Sequence, residues 1–369
     1  MYKEVTPTII RNGIISRLSG MYGYHGWPSV ARDEKGVLYA VCSGFRAAHV
    51  CPFGKTVMFV SRDDGETWTP PIVVNDTPLD DRDAGIVCLG NNKLLITWFA
   101  HPTEVYLHTY ANGIKNSMNF PEANVAMAQL ATFYEIPDPA NRGGSFVRLS
   151  RDGGVTWGDT VQLPVSAPHG PILRSDGSLL YLGKELYSEK WPNPELPHAV
   201  VAYSSRDDGM TWQRLGAVDI PEGYTPHNFH EPHSIELKDG SILGVIRAER
   251  EPVKHGFSIF KTISKDGGLT WSPMEQLDVC GSPPHLLRHS SGAIICAFGR
   301  RIPPFGERAL VSYDEGKTWE EYILRTDGPD GDLGYPASVE LDDGSILTVF
   351  YQKYAPGEKC SFLYTRWKL

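Results

Sequence analysis

The chain has 369 residues, 35 basic and 44 acidic, for a formal charge of −9; this acidic balance argues against a general nucleic-acid binder, which shows a basic surplus. Hydrophobic residues at 41% and aromatics at 11% exclude a disordered chain, while 37 Gly and 28 Pro point to many turns and short strands. No apolar run reaches the length of a membrane-crossing helix, and Met1 to Gly20 lacks the apolar core and cleavage site of a secretion signal. Six cysteines without CxxC spacing read as reduced thiols and fit a cytoplasmic location.

From the N-terminus, Glu4 to Arg11 reads as a strand. PSVARDEKGVLYAV follows from Pro28: an apolar strand, a polar turn and a second apolar strand. This unit recurs from Ala84, Gly170, Pro232, Pro284 and Pro336, six copies in all, and the Asp-Gly centres of those from Gly170, Pro232 and Pro336 read as hairpin turns. Alternating with it is a second repeat, Ser-x-Asp-x-Gly-x-Thr-Trp, which begins at Ser61, Ser150, Ser205, Ser264 and Ser312. Its Ser and Asp can satisfy turn N–H groups, its Gly accepts positive φ, and its Trp offers an apolar plate to a neighbouring repeat. The five repeated aspartates therefore read as turn staples rather than catalysts.

Ahead of Ser150, Phe99 to Arg142 form an insertion in the second unit, at about 99–142, with a short helix predicted near Asn124 to Ala131. The sixth unit lacks the octapeptide and ends in CSFLYTRWKL, which leaves Glu4 to Arg11 to supply its outer strand. Strand-rich units of about fifty residues without helical periodicity predict an all-β fold, a six-bladed β-propeller of four-stranded antiparallel blades. The whole chain, 1–369, is then one domain, closed by pairing of its N- and C-terminal strands.

In such a fold, the loop before each innermost strand and the loop after its second strand open on one face. The first set carries Tyr24, His25 and Trp27; Asp80, Asp81, Arg82 and Asp83; His169; His230 and Glu231; His285; and Asp332 and Tyr335. The second carries Arg46, His49 and Lys55; His101; Lys184; Arg247 and Arg250; and Arg300, Arg301 and Arg308. Arginines converging from several blades suit a carboxylate, which a guanidinium grips with two parallel hydrogen bonds. No histidine spacing matches a zinc signature, so neither a metal nor another cofactor is predicted.

On these repeats the chain resembles the sialidase (neuraminidase) superfamily, six-bladed propellers carrying Asp-box turns. The resemblance implies a nucleophilic Tyr before the first strand of the last blade, where Gly334-Tyr335-Pro336 stands, and a partner Glu before the fourth blade, where Glu231 stands in HEPHSIEL. It also implies three arginines on the substrate carboxylate. Arg247 matches the fourth-blade member, and Arg301 or Arg308 the fifth. The first is missing: its motif is replaced by His25-Gly26-Trp27-Pro28, with Arg46 or Arg82 as possible substitutes. The family's general-acid Asp is missing too, since the stretch from Arg46 to Val60 holds no Asp or Glu. His49 is the nearest replacement, Asp81 and Asp83 are rivals, and Asp83 also resembles a family Asp that contacts substrate.

The resemblance implies an exo-acting, retaining glycoside hydrolase for a terminal acidic sugar, sialic acid or a related ulosonic or uronic acid. The expected partner is an acidic glycan or glycoconjugate, not a nucleic acid or a membrane; oligomeric state is left open. Tyr335 and Glu231 are the expected nucleophile pair and His49 or Asp81 the acid. Arg46, Arg82, Asp83, Arg247, Arg301, Arg308, His25, Trp27 and His230 are expected around the substrate. A uronate lyase working through His and Tyr, and a non-catalytic glycan-binding propeller, are the two alternatives.

Overall fold

The structure, a computed structural model, describes residues 2–185 and 200–369. Six sheets succeed one another along the chain, each built on four antiparallel strands, with a short fifth strand added to one of them. The first runs Tyr24–Arg32, Leu38–Arg46, Lys55–Ser61 and Ile72–Asn75. In the last, Leu333–Glu340, Ile346–Lys353 and Cys360–Lys368 are completed by N-terminal Thr8–Ser16. This is the expected six-bladed propeller, its ends closed in one blade.

The closing strand begins later than expected. Glu4–Val5 pairs instead in parallel with Glu320–Ile323 at the outer edge of the fifth blade. Pro7 separates the two segments; lacking an N–H and fixed in φ, it interrupts a continuous ladder. One N-terminal segment therefore ties two neighbouring blades together.

The seams between blades explain why the second strands read as nearly unbroken apolar runs. Alternate side chains of a strand point to opposite faces, and here both faces are covered. Leu38, Ala40 and Cys42 pack with Leu347, Val349 and Phe362 of the sixth blade. Tyr39 and Val41 pack with Ile86, Ile96 and Trp98 of the second.

The Asp boxes sit on the far turns. In the first, Gly65 N donates to Ser61 Oγ at 2.9 Å and Thr67 N to Asp63 Oδ1 at 2.9 Å, while Asp64 (φ 55°) and Gly65 (φ 84°) make two successive left-handed steps. The same Ser and Asp contacts recur at Ser150, Ser205, Ser264 and Ser312. Hydrogen bonds from Thr156 hold Asp152 down to about 2, and Thr270 and Thr318 do the same for Asp266 and Asp314. Each box tryptophan packs beside an inter-blade core, Trp68 between the first and sixth blades and Trp157 between the first and second.

The insertion is more helical than expected. Val105–Tyr110 is π-helical, Ala111–Ser117 α-helical, and a second α-helix spans Phe120–Thr132. Asn119 caps the last by accepting from Glu122 N at 3.0 Å, with Pro121 in its first turn. Tyr106, Ile114, Ala126, Leu130 and Phe133 form a small core that packs on Leu79, Val50 and Phe53, so the insertion leans on the first blade's loop.

Candidate active site

Four innermost strands share a local defect. Pairing slips between Gly26 and Ser29, Arg82 and Gly85, His230 and His233, and Gly334 and Ala337. The residue within each slip has a positive φ: Trp27 at 52°, Asp83 at 52°, Glu231 at 46° and Tyr335 at 51°. For side-chain-bearing residues this conformation costs on the order of 1–3 kcal/mol and persists only where the surroundings impose it. A bulge re-aims its side chain, and these four, from blades one, two, four and six, are aimed at one another.

Tyr335 Oη donates to Glu231 Oε1 at 2.5 Å. Arg247 donates through Nη1 to Tyr335 Oη at 3.0 Å and to Glu231 Oε2 at 2.5 Å, and through Nη2 to Glu249 Oε2 at 2.5 Å. Burial pushes the Tyr335 phenol well above 10, Glu231 and Asp83 push the same way, and Arg247 and Arg301 oppose them. Asp83 is raised to about 7 by burial and then by the Glu231 charge, with Arg82 and Arg247 pulling it back. The centre is thus crowded with carboxyl groups that resist sharing negative charge.

Arg301 lies over the same ring, its guanidinium carbon 5.6 Å from the Tyr335 centroid and 5.8 Å from that of Phe257. Its buried Nε and Nη2 have no hydrogen-bond partner among the described residues. Arg247 is tied to its neighbours through both Nη atoms and keeps only its Nε without a partner among the described residues, whereas Arg301 has two such donors.

A second group lies across Trp27, whose ring is 6.4 Å from that of Tyr335 and 5.1 Å from that of His49. His49 Nδ1 is 3.0 Å from Asp332 Oδ1 and 3.0 Å from Tyr24 Oη, and Tyr24 donates to Asp332 at 2.9 Å. Desolvation lowers the His49 pKa from 6.5, Asp332 raises it, and Arg82 and Arg301 lower it further. Hydrogen bonding to His49 and Tyr24 holds Asp332 down to about 2 despite burial.

Several expected site residues point elsewhere. Arg46 is fully buried, bound at Nη1 and Nη2 by Asp80 and covered by Trp27 at 4.5 Å. It is sealed off and cannot stand in for the missing arginine. Arg82 keeps 10% side-chain exposure, pairs with Asp80 at 3.3 Å and lies 3.9 Å from the Trp27 ring. Asp81 is a turn staple: it accepts from Asn75 Nδ2, Thr77 N and Thr77 Oγ1, and burial raises it to about 7. His25 is buried beside Phe59 in a blade seam, its Nδ1 3.2 Å from Gly23 O. Arg308 lies within the strand Gly306–Ser312, reaches Arg325 O and pairs with Glu321 at 3.6 Å, away from Tyr335. His230 turns to Lys184 at 3.2 Å and to His227 O at 2.8 Å on the rim.

Three acids organise the site without a role assigned to them from sequence: sequence position places Asp80 and Asp332 on this face and does not single out Glu249. Asp80 gathers Arg46, Arg82, Tyr106 Oη and Gly54 N around one carboxylate. Glu249 steadies Arg247 from two positions along the same strand, where i and i+2 share a face. Asp332 pairs with His49, 283 positions away in the chain. Only the placement of Asp332 three residues ahead of Tyr335 hinted at a role. Among the described residues no group of three or more His, Cys, Asp or Glu could hold a metal ion.

The structure is thus a six-bladed propeller with Asp-box turns whose face carries a Tyr–Glu pair and converging arginines. The BNR repeat-like domain model matches residues 99–348, and the chain belongs to that family. A protein of unknown function from Dyadobacter fermentans is similar in structure, with 23% identity, 98% of each chain covered and a TM-score of 0.76. The NanB sialidase of Streptococcus pneumoniae is similar over 96% of this chain and 70% of its own, at 15% identity and a TM-score of 0.67. The intramolecular trans-sialidase of Ruminococcus gnavus is similar over 95% of both chains, at 15% identity and a TM-score of 0.66. At these identities the likeness establishes the fold.

Proposed function

We propose that the protein is an exo-acting, retaining glycoside hydrolase that removes a terminal acidic sugar, sialic acid or a related ulosonic or uronic acid. The observation that carries this reading is the Tyr335–Glu231–Arg247 triangle, closed by contacts of 2.5 and 3.0 Å. A neutral phenol is a weak nucleophile, and Tyr335 is held neutral by burial. Glu231 Oε1 lies where it takes the phenol proton as the oxygen attacks the anomeric carbon. Arg247 touches both oxygens, so it steadies the negative charge wherever it resides during transfer.

Tyrosine nucleophiles are a known departure from the two-carboxylate arrangement of glycosidases. A neutral nucleophile suits a substrate whose own carboxylate would repel an anionic one. Arg301, with free donors beside the Tyr335 ring, receives that carboxylate together with the outer edge of Arg247. His49 protonates the departing oxygen. Water then cleaves the Tyr335–sugar bond, His49 takes the water's proton and Glu231 returns the phenol's. Two displacements at one carbon retain its configuration.

A product screen on sialosides and uronic-acid glycans, wild type beside Tyr335→Phe, tests the reading. The expected outcome is free sugar of retained configuration from wild type and none from the variant. The Tyr24–His49 contact of 3.0 Å favours a lyase as the second reading; an unsaturated product absorbing in the ultraviolet would establish it instead. Saturable glycan binding without turnover in either protein would leave a binding propeller.

A further inference from the structure

A cleft of about 460 Å³ opens beside His49, between the insertion and the closing blade. Its volume is that of a small-molecule site. Thr109, Tyr110, Gly113 and Ser117 form the insertion wall, and His49 and Asp332 form the opposite side. His49 therefore has two sides: its ring meets Trp27 toward Tyr335, and it also lines this cleft.

The lysines and glutamates along the cleft are already paired within the protein: Lys353 with Asp330 at 2.5 Å, Lys359 with Glu122 at 3.0 Å and Glu358 with Arg17 at 2.5 Å, while the Asp332 carboxylate accepts from Tyr24 at 2.9 Å and lies 3.0 Å from His49. The contrast with the Tyr335 side is direct, because there Arg301 carries buried donors without partners among the described residues. Among the described residues that line the cleft, a second anionic group would find no uncommitted cation. The hydroxyls of Thr109 and Ser117 and the ring of Tyr110 match a neutral ligand with hydroxyl groups and an apolar C–H face.

We propose that this cleft is the leaving-group subsite and takes a neutral sugar, with Asp332 positioning His49 to protonate the oxygen that joins it to the acidic sugar. The proposal rests on the hydrolase reading above. His49 donates its Nε2 proton to that oxygen while Nδ1–H remains on Asp332. The Tyr335 Oη–carbon bond forms as the carbon–oxygen bond to the leaving sugar breaks. The insertion thus selects what the acidic sugar is attached to, and Arg301 selects the acidic sugar itself.

The test compares two substrates of the same acidic sugar, a lactoside and a glycosyl fluoride, with sialic acid as the first choice. Fluoride is a single atom and departs without a proton, so it needs neither the cleft nor the acid. A Cβ on Gly113 meets nothing within 4 Å, so Gly113→Trp projects into open space rather than into a core. It is expected to lower kcat/KM on the lactoside about tenfold or more and to leave the fluoride near wild type, with Gly113→Ala restoring the lactoside rate. Asp332→Asn is expected to give the same split and to move the alkaline limb of the lactoside pH profile downward, because Asp332 raises the His49 pKa. A lower rate on both substrates, or on neither, would overturn the subsite. A wild type inactive on both would remove the hydrolase reading, and the subsite with it.

Discussion

Arg247 and Arg301 flank the same phenol and carry different loads. Arg247 is fixed by Glu231, Glu249 and Tyr335, so its replacement would release two carboxylates as well as remove a contact to substrate. Arg301 has buried donors without partners among the described residues, so its replacement isolates binding. Arg301→Met is expected to lower kcat/KM by about 10–100-fold, the equivalent of a charge-assisted hydrogen bond of about 1.5–3 kcal/mol. Folding stability should be unchanged or raised, as read in urea. Asp80 provides the opposite case. It and Arg46 are wholly buried, and Asp80→Asn strands the Arg46 charge. A loss of about 3–5 kcal/mol is expected from breaking such a pair, measurable by equilibrium unfolding.

Legibility at this scale followed chain-local chemistry. Tyr335 and Glu231 were legible through the family resemblance, carried by Gly334-Tyr335-Pro336 and HEPHSIEL. The choice between Arg301 and Arg308 stayed open in sequence, because both lie near the end of one hairpin. Pairing separates their positions: Arg308 faces Ile323 across the ladder of the fifth blade, while Arg301 lies just outside the strand Ile294–Arg300 and beside the Tyr335 ring. Asp81 and His25 looked like site residues by position and are taken up by a turn and a seam.

Among the elements, the Asp box and the bulge use left-handed backbone for different ends. In the box, Asp207 accepts from Thr211 N at 2.9 Å, Met210 N at 3.1 Å and Thr211 Oγ1 at 2.7 Å. Asp207→Ala removes all three and is expected to destabilise the fold by about 1–2 kcal/mol, as lost turn and cap contacts do. Its kcat should match wild type, which separates the repeated aspartates from Asp83 and Glu231. Tryptophan, glutamate and tyrosine at positive φ are not announced by any residue preference; the tertiary surroundings impose that backbone. The insertion's longer helical content has a local cause in the Asn119 cap and a tertiary one in the core it forms on Leu79 and Phe53.

The whole molecule carries many buried histidines kept neutral by loss of hydration. His25 is lowered to about 4, His101 to about 3 and His233 to about 3, in each case first by burial. A histidine whose folded pKa is depressed binds more protons when unfolded, so its contribution is complete above the unfolded value of about 6.5 and is lost as pH falls toward the folded one. For His25 the span from 6.5 to about 4 corresponds to roughly 3 kcal/mol. Asp81 and Asp83, both raised to about 7, act in the opposite sense as pH falls, but the depressed histidines outnumber them, so the melting temperature should fall between pH 6.5 and 4. Scanning calorimetry across that range checks it, and a melting temperature that rises toward pH 4 would contradict the assignment.

Repeat period, turn chemistry and apolar alternation determined the propeller, its six blades and the structural role of the Asp boxes, because each is a property of residues close together in the chain. The pairings that define the candidate site join residues far apart: Glu231 with Tyr335, His49 with Asp332, and Arg46 with Asp80. Only the closed ring decided which arginines face Tyr335 and which serve a seam. Burial and hydrogen-bond satisfaction select a partner in three dimensions, and neither is a property of sequence spacing.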